Sequence, residues 1–326
     1  MPQLDENERV FHHFNDLKPN LRMMVIDQME AGERCRFAQC SILCNKEAKS
    51  SKNYIHELSF VYYSKDYITI KVGYADRDID GIIIMRGYRL NYSKVSGISK
   101  KKYQSLDFRK TWTEDLDETT NLHQYALEEF NSVLKMYQNV IRKLSLTDAS
   151  ILSQDGIFKD VKFEIESLKN LEDLTFFGIF DSTQFLSKLQ QPLKHLRIEG
   201  DNQPDHEQIY QVENNLQWFK TNITNQQFSR ITAKNVDIPM GILTEMNIFS
   251  FIRSWQNNTI RKDINLYIWD LRVSNFDEQK FFKLLRATHH DFKTSKLEIK
   301  HFKKPGRSGL LYFERTYLKF RGNIRN

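Results

Sequence analysis

Past residue 142 the chain keeps repeating one small unit, a short strand-like piece followed by a helical one. The strand-like pieces read KLSLTD, LEDLTFFG, LKHLRIEG, FSRITAKN, INLYIWD and SKLEIKH. Helical pieces fall between them, at 183–189, 206–221, 241–256 and 277–289. Centred on Leu146, Leu174, Leu196, Ile231, Leu266 and Leu297, the strands recur at spacings of 28, 22, 35, 35 and 31 residues. Several carry an L-x-x-L-x-[LIF] core, as in LEDLTF and LKHLRI. One strand with one helix cannot bury its own apolar face, so such units stack on their neighbours and share a continuous core.

The recurrence predicts a mixed α/β chain whose larger part is a degenerate leucine-rich-repeat-like strand–helix array. A doubly wound parallel sheet is the alternative architecture. The segment LLYFERTYLKF alternates too and reads as one final strand closing the sheet. It would set Leu311, Phe313, Arg315 and Tyr317 on one side and Tyr312, Glu314, Thr316, Leu318 and Phe320 on the other.

Ahead of the array the texture differs. NLHQYALEEFNSVLKMYQNVIRKL holds a 3.6-residue apolar period from Leu122 to Ile141 and predicts an amphipathic helix. Before it, Ile55–Tyr63, Asp66–Tyr74 and Gly81–Tyr92 are rich in β-branched and aromatic residues with short polar breaks, an antiparallel meander of three strands. The polar stretch 93–118 shows no clear pattern. At the front, residues 20–30 form a helical pattern, with Pro19 at the start, where a missing N–H costs nothing, and Gly32 as its stop. Residues from Glu33 to about Ser51 read as one long or two short helices, with Phe37, Cys40 and Cys44 at helical spacing.

Several chemistries find no support in the sequence. Phosphate-binding and nucleophile-elbow glycine motifs are missing, as is H-E-x-x-H. PGRSGLL, from Pro305, is a plain turn by its composition. Cys35, Cys40 and Cys44 have no fourth ligand close in sequence and do not share one helical face, so small buried thiols fit better than zinc. His289, His290 and Asp291 are sequence neighbours whose side chains diverge on a helix. The reading is therefore a non-enzyme without metal or cofactor. The odd cysteine count, the lack of an apolar signal core in MPQLDENERV and a longest apolar run of only IIIM point to the cytoplasm or nucleus, with no membrane partner. Net charge is +6, but residues 291–326 alone carry ten Lys or Arg against three Asp or Glu. That basic, aromatic tail makes nucleic-acid binding the competing function.

The first helix raises its own question. On a wheel at about 100° per residue, Leu21, Met24, Val25 and Met29 form a broad stripe, while Met23 and Ile26 point the opposite way. A helix with two apolar faces in a unit of roughly 40 residues has too little of its own to cover both. Methionine suits a surface completed by another protein, because its flexible thioether adapts to a foreign groove. Packing on the chain's own larger domain, with the helices as a capping unit of a repeat scaffold, is the other solution.

The pattern L-x-P-x-L-x-x-x-V-I-x-x-M, carried by Leu17, Pro19, Leu21, Val25, Ile26 and Met29, resembles the first helix of an F-box. GERCRFAQCSILCNKEAK resembles the rest of that motif. The run from QCSILCNKEAKSS into IHELSFVYYSKDYITIKV, and MNIFSFIRSWQNNTIRKDINLYIWD with Phe251, Ile252 and Trp255, resemble the nematode-type F-box proteins that carry an F-box-associated domain. Asn20 and Arg36 depart from the family's usual residues.

The resemblance implies an F-box-like helical module over 12–53 and an F-box-associated, leucine-rich-repeat-like recognition domain over 54–326. It further implies a non-catalytic subunit of a Skp–cullin–F-box ubiquitin ligase, serving ubiquitin-dependent degradation. The chain would bind a Skp-type adaptor, and through it a cullin–RING ligase, by Leu17, Pro19, Leu21, Met24, Val25, Met29 and Phe37. The larger domain would bind a target protein.

Overall fold

The computed structural model describes residues 14–29, 34, 37–38, 40–50, 55–77, 83–106, 111–150, 161–178, 181–200, 205–219, 222–257, 263–271, 276–285, 296–300, 307–313 and 317–325. Cys35, His289, His290 and Pro305 lie outside the described residues, as does the Gly32 stop. The fold is mixed α/β. Its described residues fall into two compact units, one drawn from 1–142 and 163–166, the other from 143–162 and 167–326. This division falls at Arg142, and the leading helices share their core with a later helix of the same unit.

The first unit holds that helical lead and an antiparallel meander. A 3-10 turn, Phe14–Asp16, precedes α1, Pro19–Gln28, and α2 spans Ile42–Ser50. The meander has five strands, not three: β1 Ile55–Ser64, β2 Tyr67–Arg77, β3 Ile83–Val95, β4 Ile98–Ser105 and β5 Thr111–Asp115. The unassigned stretch 93–118 therefore finishes β3 and supplies β4 and β5. Its Lys-rich ISKKKYQS alternates buried and accessible positions, but Lys101 takes a buried place that a hydrophobic pattern expects to be apolar.

The helix α3, Leu122–Tyr137, covers the meander. The Asn121 side chain caps it by accepting from the His123 and Gln124 amides. Its buried face is Leu122, Ala126, Phe130, Val133, Leu134 and Tyr137, the period seen in the sequence. Phe130 meets Phe60 edge-on at 5.3 Å. Buried Lys101 reaches the α3 carboxylate of Glu129 at 2.6 Å, and the Tyr92 hydroxyl donates to the same oxygen at 2.8 Å.

The second unit is built on parallel strands laid side by side in sequence order: β6 Lys143–Asp148, β7 Asp173–Phe177, β8 His195–Glu199, β9 Asn215–Trp218, β10 Asn235–Pro239 and β11 Asn265–Trp269. Each strand starts 20 to 30 residues after the last. Two expectations fail in the middle. Within 206–219 there is a short helix, α5 Glu207–Tyr210, followed by β9, and FSRITAKN takes in only the end of the helix α6, Asn225–Arg230, and the first residue of β10. The other helices of this unit are α4 Thr183–Leu186, α7 Glu245–Gln256 and α8 Glu278–Leu285.

The tail also differs from expectation. β12 Lys296–Lys300, β13 Arg307–Phe313 and β14 Tyr317–Arg325 are antiparallel, and β14 pairs with β11. LLYFERTYLKF is thus two strands rather than one. Reversal of the chain brings Leu311 opposite Phe320, and both are buried.

One face of this sheet is apolar. Leu174 and Phe176, Leu196 and Ile198, Leu216 and Trp218, Val236 and Ile238, Leu266 and Ile268, and Leu318 and Phe320 are all buried. Helix residues meet them there: Phe185 against Phe176, Tyr210 against Trp218, Trp255 against Phe320. At the strand ends the turns stack closely. Gly200, at φ +147°, lies where an added Cβ would come within 1.9 Å of the Gly178 carbonyl oxygen, so no other residue fits without displacing backbone.

Candidate functional site

Two surfaces bear on function, one in each unit. In the first unit, Phe14, Ile26, Phe37, Ala38 and Ala48 form a small core, joined by Leu17, Met23, Met29, Cys44 and, from α3, Met136. Arg22 fastens α1 to α2 through Glu47 at 2.7 Å and donates to the Leu17 carbonyl. Arg34 is fully buried, donates to the Met29 carbonyl at 2.7 Å and lies 6.0 Å from the Tyr137 ring centre.

This core sorts the seven expected adaptor residues into two sets. Leu17, Met29 and Phe37 turn inward. Met29 leaves the stripe because α1 ends at Gln28 and Met29 itself is extended, with ψ 140°. Pro19 opens α1 and faces solvent with Leu21, Met24 and Val25. Those last three stand at i, i+3 and i+4, one helical face, and are 42%, 63% and 41% exposed. On the other side of α1, Ile26 is wholly buried and Met23 packs on the core. The helix therefore spends one apolar face internally and leaves the other open.

Cys44 packs on the same core, but Cys40 is exposed, contrary to the expectation of buried thiols. Among the described residues no group of three or more His, Cys, Asp or Glu could hold a metal ion, and no helix is long and apolar enough to cross a membrane.

The second surface is the face of the parallel sheet opposite its helices. Strand register places side chains in rows across it. The first row is Asp173, His195, Asn215, Asn235, Asn265 and Arg321, and the second is Thr175, Arg197, Gln217, Asp237, Tyr267 and Lys319. Both rows line a groove of about 840 Å³. The first row is a hydrogen-bonded ladder. Asn265 donates to Asn235 at 2.7 Å, Asn235 donates to Asn215 at 2.5 Å, and the Asn215 amide meets His195 Nδ1 at 2.6 Å. Each amide can make four hydrogen bonds, so the ladder leaves donors and acceptors over. Next to the second row, outside the groove's lining, Phe219 lies against Trp269 at 5.4 Å, and Tyr267 of that row meets Tyr317 at 5.2 Å.

Its charges are unequally satisfied. Asp173 pairs with Lys143, and Arg197 pairs with Glu199 while lying over the Phe219 ring. Among the described residues, Lys319 and Arg321 have no ion-pair partner. Asp237 Oδ1 is buried without a hydrogen-bond partner. Burial raises the Asp237 carboxyl above the usual carboxylate range, against the opposing pull of Trp269, Arg197 and Gln217.

Sequence reasoning located none of this groove, because its residues are the polar members of alternating strands, and two of those strands were misassigned. The equal placement of Asn at the first position of β9, β10 and β11 was the signal available. No family model, no curated protein and no solved structure matches the chain.

Proposed function

We propose that this chain is a non-catalytic, F-box-like recognition subunit of a Skp–cullin–RING ubiquitin ligase. The leading helices bind the Skp-type adaptor, and the second unit, read as a leucine-rich-repeat-like array, presents a target protein. The observation that carries the reading is the open face of α1. Leu21, Met24 and Val25 stay exposed although the helix already has a core of its own through Ile26 and Met23. A solvated helix has no reason to carry leucine, methionine and valine at i, i+3 and i+4, whereas a helix that enters a partner's groove needs that spacing. For the second unit, the sequence-ordered parallel strands with helices on one face and an open groove on the other favour the array reading.

No bond chemistry is required of such a subunit. Tethering raises the effective concentration of a target lysine near the charged conjugating enzyme, into the millimolar range for short flexible links. The test is co-purification of the full chain with a Skp-type adaptor, comparing wild type with Met24→Lys, Val25→Lys. Both positions are exposed, so the variant keeps its fold and loses the adaptor. Equal recovery of adaptor by both proteins removes the proposal. Unfolding of the variant would instead favour the capping-unit scaffold, in which these side chains are structural.

A further inference from the structure

We propose that the groove of the second unit is a receptor for an acidic, extended peptide segment of a partner protein, read along the Asn215–Asn235–Asn265 ladder and anchored at Lys319 and Arg321. This deepens the target-recognition half of the reading above and rests on it only for the identity of the occupant as a target. Two observations carry it.

The first is the charge left over. Inside the groove Asp173 and Arg197 already have partners, on Lys143 and Glu199. The cations of β14 have none among the described residues. Lys319 and Arg321 are adjacent on one face of that strand, so a carboxylate-bearing side chain laid there meets two positive charges together. Charge complementarity of this kind sets register and rejects wrong partners.

The second is the ladder. Its side-chain amides recur at the strand spacing of about 4.8 Å, each with a donor and an acceptor not spent on its neighbours. Such a row offers donors and acceptors to some of an extended chain's peptide groups, whose same-side repeat of about 6.6 Å is longer than the ladder's, without selecting their side chains. Asp237 also lines the groove, but its Oδ1 is buried and is not offered to an occupant. Asp237 stands two strands from Lys319, about 10 Å, so the occupant's carboxylates at β14 avoid it.

The same charges argue against a nucleic acid in this groove. A phosphodiester chain carries a negative charge at every nucleotide, and a strand following the ladder would set phosphates against Asp237 and Asp173. Two unpaired cations at one edge match a locally acidic peptide better than a uniformly charged polymer.

The test is fluorescence anisotropy on the full chain with a fluorescein-labelled peptide of serine and glycine that carries two glutamates, two residues apart, near one end. The comparison ligands are the same peptide with glutamine for glutamate, and a single-stranded oligouridylate of similar length. The glutamate peptide is expected to bind at least about tenfold more tightly than the glutamine peptide. Lys319→Glu with Arg321→Glu is expected to erase that preference. Arg321→Glu alone, at an exposed position, reduces it and guards against misfolding of the double variant; circular dichroism checks both. Met24→Lys, Val25→Lys is expected to leave peptide binding unchanged. Equal adaptor capture by wild type and this variant, with peptide binding retained, therefore defeats the ligase reading and spares this one. Undetectable binding of the glutamate peptide, equal binding of the two peptides, insensitivity to charge reversal, or tighter binding of oligouridylate overturns the inference.

Discussion

Within α1, adjacent apolar residues have opposite fates, and the contrast can be measured. Ile26 is wholly buried and Val25 beside it is open. Ile26→Ala removes buried methyl groups and leaves a cavity, an expected loss of about 2–5 kcal/mol. Met24→Lys is expected to stay within about 0.5 kcal/mol of wild type, as exposed substitutions do. Urea titrations of the two variants check both values. Asp237 gives a second residue-scale expectation. Burial holds its carboxyl above the ordinary range in the folded chain. As pH rises, the unfolded chain releases this proton first, so the ionised group subtracts from stability at neutral pH. Below about pH 3.9 both states are protonated and the penalty vanishes. Asp237→Asn is therefore expected to be more stable than wild type near pH 7, with a gain that shrinks as the solution is acidified. Thermal melts across that range are the measurement, and a gain that grows in acid would contradict the burial argument.

Among the elements of the first unit, α3 and the meander are joined by a polar contact as well as by Phe60 and Phe130. The side chains of Lys101 and Glu129 are 3% and 19% exposed, and the ammonium lies within 6 Å of the Tyr92 and Tyr125 rings. Removing one partner leaves a buried charge uncompensated, so Glu129→Ala is expected to cost about 3–5 kcal/mol. The paired change Lys101→Met, Glu129→Leu is expected to recover much of that loss, which a double-mutant cycle in denaturant resolves. This contact also marks where the sequence stopped being legible. The long period of α3, the strands β1 to β3 and the cores LEDLTF and LKHLRI could be read because each repeats an apolar spacing over a full element. β4 could not, because a lysine occupies a buried position and its compensating glutamate lies 28 residues away. β9 could not, because NLQW is four residues long, too short to show a period against the helix before it. FSRITAKN misled because the β-branched pair Ile231 and Thr232 suggests a strand, although Phe228 and Ile231 stand three apart, a helical spacing. The helix is fixed by the Thr224–Gln227 capping box, a local signal that an apolar pattern ignores.

At the scale of the second unit, the decisive feature is how the parallel sheet ends. An array of stacked strands leaves its last strand with unpaired backbone groups, and repeat folds need a distinct terminal element to cover them. Here β14 supplies it by pairing antiparallel with β11 from Asn265 to Trp269. It also contributes Phe320, which meets the buried Trp255 of α7 edge-on at 5.1 Å. The tail's aromatics and cations are thereby divided. Leu318 and Phe320 face the core, while Lys319 and Arg321 face the groove, an allocation that follows from strand alternation. The sequence showed alternation in this segment but not the reversal that separates β13 from β14, so it could not pair Leu311 with Phe320 or bring the cations beside the asparagine ladder. If the hairpin is a structural cap, a chain ending at residue 306 should expose β11 and Trp255 together and aggregate. Phe320→Ala should stay soluble but lose about 3–5 kcal/mol. Arg321→Glu should change neither solubility nor stability, since its side chain is exposed. Size-exclusion profiles and denaturant midpoints of the three proteins separate the two roles of β14. A soluble, fully stable truncation would mean that the parallel strands close their own edge and that the hairpin serves only the groove.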